Sequence, residues 1–405
     1  MATLAESFAR WADEFEPEPD DRTLAHRALI DTAAVTLAAR DYPLRTIADG
    51  LPDAARWTAI GHVLDFDDLH IDSTTHISVV VVPAVLAAGG DARAYLAGAG
   101  VMARLGTLLG WSHYTAGWHA TCTAGAPAAA VAAGTAMGLP VPQLATAIAL
   151  AVPAAGGVQN AFGTHGKSLQ AGFAAQAGVR AAKLARAGAT AEPGALDAWL
   201  ELVGGRAGTV DAGGPAVPGG LAIKVYPCCY AMQRPIAALR DIRHQLDDTE
   251  GEVERVRVRT PKAAVHPLVH DRPRTGLEGK FSLPYAVSTA LLDDYPDFAS
   301  FTDDAVNRPA AQRLLERVEV EPTPGGDGLL TGEVDIEVAL ATGRTLHTRL
   351  ADPPGAPSRP PTGDELRAKL AACGGDVPAL LADAGWESVG ELLRTTFSTN
   401  HEAEV

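Results

Sequence analysis

The sequence is poor in residue types that several classes of protein require. Aromatic residues make up 5% of its 405 residues, and 33 Lys and Arg stand against 49 Asp and Glu, which gives a formal net charge of −16. Nucleic acid and anionic membranes are both bound through patches of Lys and Arg, so this balance favours neither as a partner. An anionic substrate would need cations gathered in one place, because the overall field does not attract it.

Cysteine is also scarce, and its spacing matches no disulfide framework. The four cysteines are Cys122, Cys228, Cys229 and Cys373. Two of them are adjacent, and this usage predicts a reduced, cytoplasmic protein. Residues 1–21 are acidic and lack the apolar core of a signal peptide. The longest apolar runs, such as 79–88, are shorter than the about 20 residues that span a bilayer.

Small and aliphatic residues are abundant, and they fall into a helical pattern over the first half of the chain. Hydrophobic residues make up 47% of the sequence. Several Ala- and Gly-rich segments are apolar on most faces, which predicts buried, closely packed helices. The segments with this pattern are 24–39, 78–89, 95–109, 124–137, 141–155, 168–187 and 194–203.

After a Gly- and Pro-rich connector near residue 215, the pattern changes to alternating strands and helices. Alternation of polar and apolar residues predicts strands at 252–260, 316–322 and 332–351, the last a hairpin that turns at ATGR. Helices are predicted at 283–295, 303–318, 364–373 and 376–397. The sequence thus predicts a mainly α fold with a smaller α+β domain.

We predict the following division of the chain. An all-helical domain covers residues 1–221 and is completed by a C-terminal helix within 376–405. The smaller α+β domain covers 222–375. The helix at the end is assigned to the helical domain because about 30 residues are too few to form a domain alone.

Three polar clusters stand directly before Ala- and Gly-rich apolar helices. They are DFDDLHIDSTTH (65–76), GWHATCT (117–123) and GTHGKS (163–168). Helix N-termini that start at one place aim free N–H groups at it, which favours bound carboxylate or phosphate. Capping and loop polarity are the alternative explanation of each cluster taken singly.

Nucleotide and metal binding are alternative interpretations of these clusters. Gly166-Lys167-Ser168 lacks the glycine six residues before the lysine that a phosphate-binding P-loop needs, because that position is Ala161. The DDLHID motif resembles the magnesium-binding carboxylates of helical prenyl-type enzymes, but aromatics are few and no second metal-binding helix stands out. A zinc site of His70, His76 and an aspartate lacks the usual short ligand spacing. No metal and no cofactor are therefore predicted.

Acid–base chemistry remains as the interpretation of the clusters. Removing a proton next to a carboxylate requires a base, and it requires cations or hydrogen-bond donors for the developing enolate charge. His76, His119 and Lys167 are residues of these types, and Asp65 could orient or tune a histidine.

Five blocks of the sequence, in order, resemble the MmgE/PrpD family. They are LDFDD with the following VVPAVLA, GWHATCTAGAPAAAVAAGTAMGL, GTHGKSLQAGFAAQAGVRAAKLARAGAT, KVYPCCYAMQRPIAAL and GKFSLPYAVSTALL. The resemblance runs from about Leu24 to the C-terminus. It implies a large all-helical domain, a smaller α+β lid domain and a homodimer. It also implies cofactor-free chemistry on a small di- or tricarboxylate at the domain interface.

The resemblance also implies which residues form the site. The catalytic residues that it implies are Asp65, His76, His119, Lys167 and Tyr285. The substrate-binding residues that it implies are Lys224, Cys229, Gln233 and Lys280.

The chain departs from the family pattern at several positions. Leu69 replaces a threonine and Cys229 a histidine of the decarboxylase-like members, and Gln233 stands where many relatives have histidine. The segment 40–61 is short, so a helix before DFDD is abridged. We therefore expect a dehydratase- or epimerase-type enzyme. A cis-aconitate-type decarboxylase, a magnesium-dependent prenyl-type enzyme and an inactive family member are the alternatives.

Overall fold

The residues that the structure describes fold mainly into α-helices, with one small sheet in the second half of the chain. The computed structural model describes residues 2–206, 208–211, 213–246 and 253–398. The end of the predicted C-terminal helix, 399–405, lies outside the described residues. The α-helices are α1 (Leu4–Glu14), α2 (Pro19–Ala38), α3 (Leu44–Ile47), α4 (Asp53–Val63), α5 (Ile77–Ala88), α6 (Ala92–Thr115), α7 (Ala120–Ala136), α8 (Val141–Ala151), α9 (His165–Arg186), α10 (Ala195–Leu202), α11 (Tyr230–Arg243), α12 (Gly276–Gly279), α13 (Leu283–Leu292), α14 (Asp303–Asn307), α15 (Pro309–Leu315), α16 (Gly363–Ala372), α17 (Val377–Leu381) and α18 (Trp386–Thr396).

Helix α7 lies at the centre of the helical core. It packs against α5, α6, α8 and α9, and nearly all of its residues are buried. Its sequence, ATCTAGAPAAAVAAGTA, has small side chains on every face, so neighbouring helices approach it closely from several directions. The helices predicted from the first half of the sequence are thus present, and they form one continuous core.

Some helix boundaries differ from those predicted, for local reasons. Helix α6 continues beyond 109 to Thr115 across a break at Gly110, whose φ of 72° only glycine adopts readily. The helix predicted at 303–318 is two helices, because Pro309 opens α15 and disfavours helical backbone at the residue before it. The helix predicted at 376–397 is likewise divided into α17 and α18.

Helices α7 and α9 can pack closely because Gly178 has no side chain. A Cβ there would lie 2.4 Å from Ala129 Cβ and 2.5 Å from Ala130 N. We expect Gly178→Ala to lower the free energy of unfolding by about 1–3 kcal/mol, because main-chain atoms cannot move aside without separating the helices. Urea denaturation measures this change.

Gly390→Ala in α18 is the matched control for this substitution. Its Cβ would meet the flexible end of Arg394 at 3.4 Å, so we expect it to stabilise the protein by about 0.5–1 kcal/mol through helix propensity alone. Equal unfolding midpoints for Gly178→Ala and the wild type would contradict the packing argument.

The sheet has four strands, in the order β2-β1-β3-β4. Strand β1 pairs parallel with β2 and antiparallel with β3, and β3 pairs antiparallel with β4. The hairpin predicted at 332–351 is therefore confirmed. Alternate residues of β3 are buried against a second core that also includes α11 and α13. The strands are β1 (Val253–Pro261), β2 (Val318–Thr323), β3 (Val334–Leu340) and β4 (Thr345–Leu350).

The two cores meet around Phe162, and the site described below lies at this junction. Phe162 precedes α9, yet its ring packs against Phe281 of the second core with centroids 5.1 Å apart. At the other end of the chain, Cys373, Val377 and Leu393 belong to the helical core. The mainly α fold with a smaller α+β part is confirmed. Across the described ranges, every helix is too short or too polar to cross a membrane.

Candidate active site

The loop between α4 and α5, residues 64–76, carries the acidic stretch of the sequence into the interior. Asp65, Asp67 and Asp68 are buried, while Asp72 is exposed. Asp65 has a left-handed backbone conformation, with a φ of 53°. This conformation is costly for a residue other than glycine and persists where the surrounding contacts fix it. For Asp65 those contacts come from two lysines.

Lys167 and Lys224 converge on the Asp65 carboxylate. Nζ of Lys167 donates to Oδ1 at 2.7 Å. Nζ of Lys224 lies 3.2 Å from the same oxygen and donates to the main-chain oxygen of Asp65 at 2.9 Å. Burial alone would raise the pKa of Asp65, but the two ammonium groups outweigh it and hold this pKa well below its usual range. Asp65 is therefore ionised and holds two buried cations together.

Lys280 adds a third cation and links the two parts of the fold. Its Nζ donates to the main-chain oxygens of Leu64 at 2.8 Å and Pro227 at 2.5 Å. Burial lowers the pKa of Lys280 to about 8. The three lysines outnumber by one the two neighbouring carboxylates whose pKa is lowered, Asp65 and Asp67, which leaves an excess of one positive charge. This strongly acidic protein thus gathers cations locally, as binding of an anion requires.

Asp67 holds two histidines through one carboxylate oxygen. Oδ2 lies 2.9 Å from Nδ1 of His62 and 2.8 Å from Nδ1 of His76. Nδ1 of His62 donates a hydrogen bond to this oxygen, because an ionised carboxylate only accepts. Nδ1 of His76 makes a close polar contact without hydrogen-bond geometry. A hydrogen on this nitrogen is still favoured, because a lone pair 2.8 Å from the carboxylate oxygen would be repelled, so each Nε2 presents a lone pair. Burial lowers the pKa of both imidazoles, that of His76 to about 3. Both rings are therefore neutral.

His62 is the member of this group that sequence reasoning missed. It lies in the last turn of α4 and is fully buried. Its Nε2 is 2.7 Å from Nζ of Lys167, from which it accepts a hydrogen bond. His62 therefore joins Asp67 to Lys167. The sequence feature that could have indicated His62 is its position three residues before Asp65, close to the start of the acidic loop.

The three polar clusters of the sequence meet at this point. His76 and His119 are the N-cap residues of α5 and α7, and Lys167 lies in the first turn of α9. These three helices pack against one another. The main-chain N–H of His76 donates to Thr121 Oγ1 at 3.0 Å, and the ring of His119 stacks on His62 with centroids 5.9 Å apart. Three separate stretches of sequence thus build one polar site.

Gln233 supports the segment that carries Lys224. Its Oε1 accepts hydrogen bonds from the main-chain N–H groups of Val225 and Tyr226, each at 3.1 Å. Its Nε2 donates to the main-chain oxygen of Tyr226 at 2.8 Å. The structure thus places Gln233 behind Lys224, with its amide engaged by the main chain. Its role in substrate binding stays a prediction.

Cys229 and Tyr285 lie in the α+β part of the fold. Cys229 is the N-cap residue of α11, and its main-chain N–H donates to Lys280 O at 3.0 Å. Burial raises the pKa of its thiol to about 12, so the side chain is neutral. The hydroxyl of Tyr285 donates to Ser300 O at 2.5 Å, and its ring meets Phe301 edge-on. The structure places Cys229 beside Lys280, but it ties the Tyr285 hydroxyl to the main chain.

Within the described ranges, His62, Asp67 and His76 offer three potential metal-ligand atoms within 4.8 Å of one another. Both imidazoles, however, lie at hydrogen-bond distance from the same carboxylate oxygen. The second nitrogen of His62 also faces the ammonium group of Lys167. A zinc ion would need ligand distances of about 2.0–2.2 Å, and the ammonium group of Lys167 would repel it. The geometry therefore fits a hydrogen-bonded network better than a metal site.

His70, the other histidine of the acidic stretch, lies outside this network. Its Nδ1 is 2.7 Å from Ser73 Oγ, and its Nε2 is 2.6 Å from Pro218 O. Both ring nitrogens are therefore used in holding the loop and its neighbour. A zinc site of His70 with His76 does not fit these contacts.

Further buried polar contacts hold the loop in place. The side chain of Asp68 accepts from Ser78 Oγ at 2.5 Å and from Ser78 N at 3.2 Å. Burial, with the negative charge of Asp31, raises the pKa of Asp68 to about 7. Lys369 of α16 donates to Phe66 O at 2.8 Å and pairs with Asp31 at 2.6 Å. The C-terminal helices thus support the loop that carries Asp65 and Asp67.

A cleft of about 380 Å³ is lined in part by Phe162, which contacts His119 of the polar network. Its lining from the helical part consists of residues 115–117, Gln159, Asn160 and Phe162, and its lining from the α+β part consists of His266, Val269 and His270. Phe162, in its lining, meets the ring of His119 edge-on with centroids 5.1 Å apart. This cleft has the volume of a small-molecule site and adjoins the polar network.

Comparison with known proteins finds two sequence models that match this chain. The sequence model of the MmgE/PrpD N-terminal domain matches residues 51–200, and that of the C-terminal domain matches residues 226–382. The chain is 26% identical over 334 residues to cis-aconitate decarboxylase of Aspergillus terreus, covering 71% of this chain and 68% of that protein.

Two further relatives have similar descriptions. The chain is 26% identical over 270 residues to cis-aconitate decarboxylase of Mus musculus, covering 63% of this chain and 55% of that protein. It is 25% identical over 350 residues to the cis-aconitate decarboxylase-like protein oryM of Aspergillus oryzae, covering 76% of this chain and 72% of that protein. The predicted resemblance is thereby confirmed.

Proposed function

The chain belongs to the MmgE/PrpD family, and from this premise we propose that it removes a proton alpha to a carboxylate of a small di- or tricarboxylate. Membership of this family and the similarity to cis-aconitate decarboxylases support an enzyme of the dehydratase or decarboxylase type. The observation that carries the finer proposal is the buried network of Lys167, Lys224, Asp65, Asp67 and the histidines. It combines an excess of positive charge with neutral imidazole, which are the two requirements of enolate chemistry.

His76 is the base in this proposal. The nearby carboxylate of Asp67 favours a hydrogen on its Nδ1, which leaves the lone pair of Nε2 for a substrate proton. The pKa of His76 is about 3 in the free site because of burial. A bound carboxylate raises that pKa, since an adjacent negative charge favours the protonated imidazole. Asp67 then stabilises the imidazolium that forms when the proton is taken.

The lysines bind the substrate carboxylates and hold the enolate charge. Lys167 and Lys224 are already positioned by Asp65 at 2.7 and 3.2 Å, so little reorganisation accompanies the reaction. The fate of the enolate decides the reaction class. Loss of hydroxide as water gives a dehydratase, and return of the proton to the opposite face gives an epimerase.

Decarboxylation is the second candidate. Two relatives, of whose length this chain matches 68% and 72%, are described as a cis-aconitate decarboxylase and as a protein like it. In that reaction the bond to a carboxylate carbon breaks, and a proton is added to the substrate skeleton. Cys229 stands where the decarboxylase-like members have histidine, which favours dehydration or epimerisation in this chain. The homodimer and the cytoplasmic location stay predictions.

The test is incubation with succinate, malate, aspartate, citrate and aconitate derivatives in heavy water, followed by NMR. We expect deuterium to enter a carbon alpha to a carboxylate in one of these compounds, with or without loss of water. Release of carbon dioxide, with deuterium in the product and none in the recovered substrate, would favour the decarboxylase instead. Activity that disappears with a chelator would favour a magnesium-dependent enzyme, and a complete absence of exchange and turnover would overturn the proposal.

A further inference from the structure

The side-chain amide of Gln170 contacts His119, and two hydrogen bonds to the main chain of Val158 fix the orientation of this amide. It lies on α9, one turn after Lys167. Its Oε1 accepts from the main-chain N–H of Val158 at 3.0 Å, and its Nε2 donates to the oxygen of Val158 at 3.1 Å. Rotating the amide by half a turn would set donor against donor and acceptor against acceptor, and would lose both bonds. The Nε2 of Gln170 is therefore a donor.

The same Nε2 lies 2.7 Å from Nδ1 of His119. Since the amide nitrogen can only donate, Nδ1 of His119 must accept. Cys122 Sγ also lies 3.1 Å from this nitrogen. Burial raises the pKa of the Cys122 thiol, so it keeps its hydrogen and can act as a second donor. Both neighbours of Nδ1 thus have a hydrogen to offer.

We propose that Gln170 is a positioning residue that holds His119 in the Nε2–H tautomer and makes it a neutral hydrogen-bond donor to the substrate. This inference rests on the proposed function for the identity of the substrate, though not for the tautomer. Burial, with the nearby charge of Lys167, keeps the pKa of His119 well below its usual range, so the ring carries one hydrogen. That hydrogen is on Nε2.

The two site histidines therefore have opposite tautomers. The carboxylate of Asp67 places the hydrogen of His76 on Nδ1, while the amide of Gln170 places that of His119 on Nε2. His76 can take a proton through Nε2, but His119 cannot. The role of His119 is to donate a hydrogen bond to an oxygen on which negative charge develops, as neutral imidazole does in other enolising enzymes.

The experiment measures the His119 tautomer directly by long-range ¹H–¹⁵N correlation NMR of protein labelled with ¹⁵N-histidine. Comparison with His119→Gln identifies the signals. In the wild type without substrate we expect a protonated Nε2 and an unprotonated Nδ1. In Gln170→Glu we expect the reverse, because a carboxylate at this position accepts a hydrogen from Nδ1. A wild-type spectrum with the hydrogen on Nδ1, or with both nitrogens protonated, would overturn the inference.

Gln176→Glu is the matched control, since it makes the same substitution on the same helix without a contact to His119. We expect it to leave the tautomer and the activity unchanged, whereas Gln170→Glu lowers kcat about 10²-fold or more, as loss of one donor to a developing oxyanion does. A Gln170→Glu protein that keeps Nε2–H, or a Gln176→Glu protein equally impaired, would count against the proposal. If no polycarboxylate reacts, the proposed function fails while the tautomer result still stands.

Discussion

Asp65→Asn is expected to lower the free energy of unfolding by about 3–5 kcal/mol. The substitution leaves Lys167 and Lys224 buried as cations without the carboxylate that both contact, and an uncompensated buried charge carries a penalty of this size. Urea denaturation at neutral pH measures the difference. The α-proton exchange reaction is expected to be lost in the same variant, because the two ammonium groups are no longer held together.

The pH dependence of this difference follows from the depressed pKa of Asp65. A carboxyl group whose pKa is lower in the folded than in the unfolded state contributes stability that is fully present above its unfolded value of about 3.9. That contribution is lost as the pH falls from there through the folded pKa, which lies well below the usual range. The gap in unfolding free energy between wild type and Asp65→Asn should therefore narrow as the pH is lowered below about 4.

Two further variants separate charge from packing. Asp72→Asn changes an exposed aspartate of the same loop, and surface substitutions of this kind alter stability by less than about 0.5 kcal/mol. Adding Lys167→Met to Asp65→Asn removes one of the orphaned cations, and it should restore part of the lost stability without restoring activity. If Asp65→Asn and Asp72→Asn unfold at the same urea concentration, the charge argument is wrong.

His76→Gln is expected to reduce α-proton exchange by about 10²–10⁴-fold, the usual contribution of a positioned general base. Glutamine keeps a polar side chain near Asp67 but has no nitrogen lone pair to take a proton. Exchange into the substrate in heavy water is the measurement, because it isolates proton removal from any later step. Substrate binding should change much less, since the carboxylates are bound by the lysines.

His347→Gln is the control, because His347 is an exposed residue of β4. The His347→Gln variant should exchange the α-proton of the substrate at the wild-type rate. The comparison with His119→Ala is also informative, since that variant keeps the base and loses the hydrogen-bond donor. Undiminished exchange in His76→Gln would show that another group takes the proton.

Sequence patterns predicted the helical core and the small sheet because both depend on local periodicity. The Ala-rich segments have one dominant feature, apolar residues on nearly every face, and α7 and α9 follow from it. Helices α1, α3, α11 and α12 were not predicted, and α4, the helix before the acidic loop, was expected only in abridged form. Charged residues are frequent in α1 and in the acidic segment that follows it, and α4 mixes buried polar with apolar residues.

The site was predicted less completely, because it depends on contacts between distant parts of the chain. His76, His119 and Lys167 were found from their shared position before apolar helices. His62 was missed, since a single histidine in a helix has no local feature that marks it. Its importance arises only when α9 brings Lys167 to within 2.7 Å, a contact between residues separated by 105 positions. Gln170 was missed for the same reason.

The contact between Lys369 and the acidic loop has a consequence for biosynthesis. Its hydrogen bond to the Phe66 oxygen joins residues 303 positions apart. During synthesis the helices α4 and α5 emerge long before α16, and folding begins with the N-terminal part of the chain. The loop that holds Asp65 and Asp67 therefore stays without this support until residue 369 has left the ribosome. A nascent chain can form most of its helical core while its active site is still incomplete.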